Sequence, residues 1–307
     1  MSTPVSVENA PEPAAHAPSS PPQAEARMGR AFWELSKPAI TRMVLITTGL
    51  GVLAAPSPTL LSDLVPIVLG TGLLVAGANA LNMFIERESD AFMQRTRARP
   101  LPAGRLEPDA ALAFGVSVSI GGLILLAQFA SMLAVALGVF ALLSYVLVYT
   151  PLKRVSPIAL YVGAIPGGLP PAIGYAAVTG SFDRVCTCLF LLLLVWQIPH
   201  FLAITLFRSE EYGRAGLKVL PVVRGLPYTR KATVLWSGLL LLTSLLPVAL
   251  GVAPLWYGAV ALVAGLALCF FAARTLFDPS PKVAKQMFFA SMPHLVVVMA
   301  ALVISVI

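Results

Sequence analysis

Apolar stretches of about 20 residues, the length that carries a helix across the hydrocarbon core of a bilayer, recur along most of this 307-residue chain. They fall at 39–56, 64–84, 109–128, 131–149, 157–178, 185–206, 232–251, 254–273 and 286–306. With no water in the bilayer to satisfy backbone amides, each block must satisfy them internally, so the expected fold is all-α: a polytopic integral membrane protein of nine transmembrane helices. Charged residues make up 11% of the chain, against about 25% in soluble globular domains, which excludes an ordinary soluble enzyme.

The net charge of +7 does not indicate nucleic acid, because the bases are scattered over short inter-span loops instead of lining one face. They record topology. With the N-terminus in the cytoplasm, all of the 21 Lys and Arg residues except Arg184 fall on the cytoplasmic side, as the positive-inside bias requires, and the C-terminus lies outside. A missed or added span would scramble that alternation. Cys186, Cys188 and Cys269 sit within apolar stretches with no CxxC pair, which removes disulfide and zinc readings.

Residues 1–30 read as a cytoplasmic tail, with 31–307 the membrane domain. Up to about residue 26 the tail carries Pro4, Pro11, Pro13, Pro18, Pro21 and Pro22 and no Lys or Arg, and too few large apolar residues to offset the entropy of ordering. Disorder is therefore expected there. It has neither the basic start and apolar run of a secretory signal nor the arginines of a transit peptide.

The two longest inter-span segments, about 85–108 and 207–231, are both on the cytoplasmic side and hold most of the acids outside the tail. In the first, Asn82, Glu86 and Asp90 are spaced i, i+4, i+8, so continuation of the second span as helix stacks them on one face. Two carboxylates one turn apart at a hydrocarbon edge need a cation between them. Arg95 and Arg99 can supply it and make a structural loop; a hard divalent ion such as Mg²⁺, shared with substrate phosphates, can supply it as well. The second segment repeats the arrangement, with Glu210 and Glu211 between Arg208 and Arg214. Two acid pairs flanked by bases before an apolar bundle suit a substrate with a diphosphate head and a long hydrocarbon tail. In that reading the metal neutralises the leaving group, the bases take up its remaining charge, and no protein nucleophile is required. An allylic cation needs aromatic faces and exclusion of water, for which Phe84, Tyr145, Tyr149, Tyr161, Tyr175 and Trp196 are the candidates.

These motifs resemble the UbiA-type membrane prenyltransferases, in the Asn82–Glu86–Asp90 signature followed by Arg95-Thr96-Arg97-Ala98-Arg99-Pro100. Within that superfamily the chain is most similar to the heme-farnesylating branch. The stretches that carry this are Tyr149-Thr150-Pro151-Leu152-Lys153-Arg154, the Gly/Pro-rich run from Gly163 to Gly174, and Trp196-Gln197-Ile198-Pro199-His200-Phe201 leading to Glu211-Tyr212. The resemblance implies nine helices around a central cavity open to the cytoplasm in the bacterial inner membrane. It implies Mg²⁺ as cofactor, farnesyl diphosphate and heme B as substrates, and heme A synthase or oxidase assembly factors as partners. Carried over by position, Asn82, Glu86 and Asp90 form a first metal site and Glu210 and Glu211 a second, with Asn82, Glu86, Asp90 and Glu211 catalytic. Arg95, Arg99, Tyr149, Lys153, Arg154, His200, Arg208 and Tyr212 would contact substrate. The chain departs from the family pattern in having Glu86 and Glu211 where many relatives have Asp, Ala159 where Asn is frequent, and His294 in the last span in place of an aromatic-Leu pattern.

His200 follows Pro199 inside a span, where an ionisable residue is costly: it either faces the heme or satisfies the carbonyl that the proline frees. The Gly163–Gly174 run reads either as a flexible lining for a planar macrocycle or as a close helix crossing. Prenyl transfer to a quinone precursor or chlorophyll-type acceptor, a secondary transporter with a broken helix at 163–174, and a non-catalytic oxidase assembly partner remain as alternatives.

Overall fold

The computed structural model describes residues 21–56 and 61–307. All regular structure among them is helical: α1 (Pro21–Leu35), α2 (Pro38–Leu53), α3 (Leu61–Ala91), α4 (Pro108–Phe129) and α5 (Met132–Leu143), then a π-helical turn (Ser144–Tyr149) running into the short α6 (Thr150–Leu152). α7 (Ala159–Thr179), α8 (Arg184–Phe207), the short α9 (Ser209–Arg214) and α10 (Leu220–Arg224), then α11 (Leu226–Ala249), α12 (Leu255–Phe277) and α13 (Pro281–Val306) complete the chain. The expected disorder of the tail falls mostly on residues 1–20, outside the described residues. From Pro21 the described chain is helix, α1 running to Leu35.

Seven of the described helices are long and apolar enough to cross a membrane. Two of the nine expected spans are absent from that set. α2 has only 16 residues, and α7, though 21 residues long, has its hydropathy diluted by Pro166, Pro170, Pro171 and its glycines. The outward faces carry Ile46, Ile120, Leu147, Leu242, Val263 and Val296, all exposed. A surface so continuously aliphatic is stable against lipid and not against water.

Start and stop signals explain the boundaries. Proline occupies the first turn of α2, α4 and α13, where its missing N–H costs nothing. Ser131 caps α5 through Ala134 N–H, and Asp183 caps α8 through Cys186 N–H. Gly180 closes α7 at φ 65°, a left-handed conformation that favours glycine. Within the spans, the hydroxyls of Thr233, Ser237 and Ser244 donate to carbonyls one turn back, so these three are not presented bare to hydrocarbon.

Close crossings bring the helices together. A Cβ on Gly174 would collide with the Thr48 carbonyl, and one on Gly51 with the Pro171 carbonyl, so α2 and α7 touch backbone to backbone. Gly167 and Gly168 admit Gln197 and Leu194 of α8 in the same way. The Gly163–Gly174 run is therefore an unbroken helix at close crossings, as one of its two sequence readings had it, and the break expected of a transporter is not there. Replacing Gly174 by Leu should force α2 from α7 at a cost of about 1–3 kcal/mol or more. Gly121→Leu, where a Cβ meets nothing within 4 Å, should be nearly neutral. Thermal unfolding of the two variants in detergent checks this, and equal midpoints would overturn the crossing.

Candidate functional site

α3 runs past the apolar core to Ala91, and this carries Asn82, Glu86 and Asp90 onto one buried face, 1%, 7% and 1% exposed. Each meets a base from a different part of the chain. Lys37, between α1 and α2, donates from Nζ to Asn82 Oδ1 at 2.6 Å. Lys153, just after α6, pairs with Glu86 Oε1 at 2.8 Å, and Arg99 pairs with Asp90 Oδ2. Asn82 is held from its other side, its Nδ2 donating to Thr150 Oγ1 at 3.1 Å. Three bases thus face two carboxylates, one basic group more than there are acids.

Local structure fixes these positions. The wide π-helical turn lets Thr150 Oγ1 donate to the Tyr145 carbonyl at 2.8 Å while its oxygen faces Asn82. After α3 the loop is pinned by Thr96 Oγ1 donating to the Asp90 carbonyl at 2.8 Å, which brings Arg99 back over the helix end. Lys37 is the one described non-glycine residue with positive φ, 47°. The Ser36 carbonyl before it accepts from both Thr41 Oγ1 and Asn79 Nδ2, so neighbouring contacts hold the strained residue in place. Burial, then the charges of Arg99 and Lys153, lower the Lys37 ammonium from the usual lysine range to about 7.

The second acidic segment touches the first. Glu211 on α9 accepts from Arg95 N–H through Oε1 at 3.2 Å and from Arg208 through Oε2 at 2.9 Å. Burial raises its carboxyl, but the bonds from Arg208 and Arg95 outweigh it and the group lies below the usual carboxylate range. Glu210 does not join this contact. It is exposed and lines a rim cavity of about 450 Å³ with Arg214, Arg230, Asp278 and Lys285. Arg95 takes part through its backbone while its residue is exposed. Arg154 donates to the Ile85 carbonyl and Ser89 Oγ on the solvent side of α3. Tyr149 stacks beside Tyr145 with ring centroids 5.2 Å apart, and Lys153 Nζ lies 5.3 Å from its centroid. Tyr212 is half-buried on α9 beside Glu211.

Three expected aromatics, Tyr161, Tyr175 and Trp196, lie elsewhere. Tyr175 donates to Asp183 at 2.7 Å at the opposite end of the bundle, and Tyr161 packs on Trp236. His200 lies on the seam between α8 and α13, stacked on Trp196 at 4.5 Å and bonded through Nδ1 to Ser291 Oγ at 2.7 Å. In the sequence Lys37 counted only as a topological charge, Thr150 only as part of the Tyr149–Arg154 run, and Asn79 not at all. The Lys37-Pro38 step before the first span was the available signal for the first of these.

The oxygen donors suit a hard divalent ion. Asp90 Oδ1 is buried without any partner, an acceptor left for a cation. Among the described residues no cluster of three acids, histidines or cysteines forms a ready-made cage. Mg²⁺ does not need one, since it is held by one or two carboxylates together with substrate phosphates and water.

The chain matches the UbiA prenyltransferase family over residues 43–293. It is 50% identical to the protoheme IX farnesyltransferase of Sorangium cellulosum over 77% of this chain and 85% of that one. With the enzyme of the same name from Myxococcus xanthus it shares 44% over 87% of this chain and 92% of that one. Among solved structures, a digeranylgeranylglyceryl phosphate synthase superposes with TM-score 0.77 at 20% identity, covering 91% of this chain and 98% of that one. A UbiA homolog from Archaeoglobus fulgidus bound to DMAPP and Mg²⁺ superposes with TM-score 0.67 at 15% identity, covering 88% and 98%.

A surplus base beside the two carboxylates suits an anion that brings its own cation. Pyrophosphate with Mg²⁺ should raise the unfolding midpoint of the wild type by several degrees. Lys37→Met should abolish that shift while leaving the midpoint without pyrophosphate within a few degrees of wild type. Retention of the full shift by the variant would remove Lys37 from the receptor.

Proposed function

Because the chain belongs to the UbiA prenyltransferase family, we propose that it transfers a farnesyl group from farnesyl diphosphate to a vinyl group of heme B, giving heme O. The observation that carries this reading is the buried Asn82–Glu86–Asp90 face with its surplus of bases. The relatives' names supply the acceptor. Nine spans, α2 and α7 included, a cavity open to the cytoplasm, an inner-membrane location and a cytoplasmic N-terminus belong to the same proposal. So do heme A synthase or oxidase assembly factors as partners.

Glu86 and Asp90 are the residues that would hold Mg²⁺, with Asn82 one turn before Glu86 on the same face and Glu211 on the segment that touches their loop. Bound there with phosphate oxygens, the metal supplies charge neutralisation of the leaving group. The basic side chains do the rest. Lys37, Arg99 and Lys153 take up the diphosphate as it departs with the electron pair of the carbon–oxygen bond, exchanging their resting partners for phosphate oxygens. Glu211 ties the second segment to the first, held by Arg208 on its own side and by the Arg95 N–H across from it. The Tyr145 and Tyr149 rings beside Lys153 offer π faces to the allylic cation, whose carbon bonds to the terminal vinyl carbon of the heme. Water then adds to the inner vinyl carbon and a proton is released, which accounts for the added hydroxyl.

The test is the purified protein with Mg²⁺, farnesyl diphosphate and heme B, read by product mass. A heme heavier by one farnesyl plus water is expected, and EDTA should abolish it. Glu86→Gln or Asp90→Asn should lower kcat about 10²–10³-fold or more with the fold intact. Unchanged heme beside a prenylated phenol would overturn the acceptor, and a double variant turning over at the wild-type rate would overturn the site.

A further inference from the structure

Inside the bundle, away from the acidic site, α8 and α13 share a polar cluster set among aromatic rings. Ser291 on α13 is fully buried and makes three bonds. Its carbonyl accepts from Trp196 Nε1 at 2.6 Å. Its hydroxyl donates to the Phe288 carbonyl one turn back at 2.6 Å. It also lies 2.7 Å from His200 Nδ1. A serine hydroxyl has one hydrogen. With that hydrogen on the Phe288 carbonyl, the oxygen can only accept from the imidazole, so Nδ1 carries the proton and Nε2 is the bare nitrogen.

The ring is fixed on its faces as well, with Trp196 stacked at 4.5 Å and 26°, and Phe288 at 4.6 Å and 36°. Only the Nε2 edge is uncommitted. Nε2 has no hydrogen-bond partner among the described residues, yet it is not sealed in, for it is not among the buried atoms without partners. His294, one turn further along α13, is the contrast, with both of its ring nitrogens enclosed and unpartnered.

A locked tautomer with an open Nε2 is the arrangement by which proteins orient an imidazole toward a metal, the other nitrogen being bonded to an acceptor behind it. We propose that Ser291 is the positioning residue that holds His200 in this tautomer and so presents Nε2 to the iron of the heme acceptor. The inference rests on the heme-prenylating reading. It adds a residue, Ser291, and assigns which nitrogen faces the substrate. Trp196 serves the same end, since its indole N–H holds the Ser291 carbonyl while its ring backs the imidazole.

The full-length protein in lipid nanodiscs, titrated with ferric heme B and followed by optical and paramagnetic resonance spectra, tests this without turnover. The wild type should show a nitrogen axial ligand, and His200→Ala should lose that signature. Ser291→Ala should weaken heme binding about tenfold or more and give a mixed spectrum. Ser291→Thr, which keeps the hydroxyl, should restore the wild-type spectrum, and His294→Leu should retain it. Farnesyl diphosphate affinity should be the same in all of these, which also shows that they fold. A Ser291→Ala protein with wild-type affinity and spectrum overturns the proposal, as does a signature that follows His294 instead of His200. If the wild type prenylates heme while Ser291→Ala is spectrally unchanged, only this inference falls. If the wild type does not bind heme, the functional reading falls with it.

Discussion

Two carboxylates on the last turns of α3 cannot stay ionised and buried at the edge of an apolar bundle without cations beside them, and the organisation of this end of the molecule follows from that constraint. Glu86 draws Lys153 from the end of the fourth apolar segment, and Asp90 folds its own loop back through Arg99. Asn82 draws Lys37 from the entry to α2. Segments more than 100 residues apart in sequence, from Lys37 to Lys153, are fixed around one short face of one helix. Glu211 then ties in the second acidic segment by accepting from the Arg95 N–H.

The scaffold behind that face is built to let backbones approach. In a bilayer there is little hydrophobic gain in helix association, so small residues and complementary surfaces must hold the bundle together. Gly51 and Gly174 on the α2–α7 crossing, with Gly167 and Gly168 facing α8, meet that need. α7 keeps its helix through three prolines because its neighbours enclose it, as the burial of nearly its whole C-terminal two-thirds shows. The Lys37 step at the entry to α2 depends on this rigidity, for a residue at φ 47° persists only where surrounding contacts determine it.

The apolar blocks and the i, i+4, i+8 spacing made the all-helical fold and the face of Asn82, Glu86 and Asp90 legible in the sequence, because both follow from helical periodicity alone. Partners across the bundle were not legible. Nothing local in Lys37 or Thr150 says that both will meet Asn82, since that contact depends on how α2, α3 and α6 converge. Glu210 and Glu211 are neighbours in sequence and were read as a unit. On a helix, adjacent side chains point about 100° apart, and though both line the rim cavity, only Glu211 bonds to the first segment. Tyr175 was misplaced for a similar reason, its ring lying a full span away from the acids and its hydroxyl on Asp183.

The resting ion pairs bear on chemistry in a way that their number alone would hide. A bound diphosphate that draws Arg99 and Lys153 from Asp90 and Glu86 leaves those buried carboxylates in need of another cation. Here a third base is already in excess, and Asp90 Oδ1 already lacks a partner. An anion that brings its own divalent cation corrects both mismatches at once, its phosphate oxygens going to the surplus base and its metal to the orphaned oxygen. Neither a diphosphate without metal nor a metal without diphosphate would do so, since each leaves one of the two defects uncorrected. The polar end of the bundle is therefore complementary to the pair together.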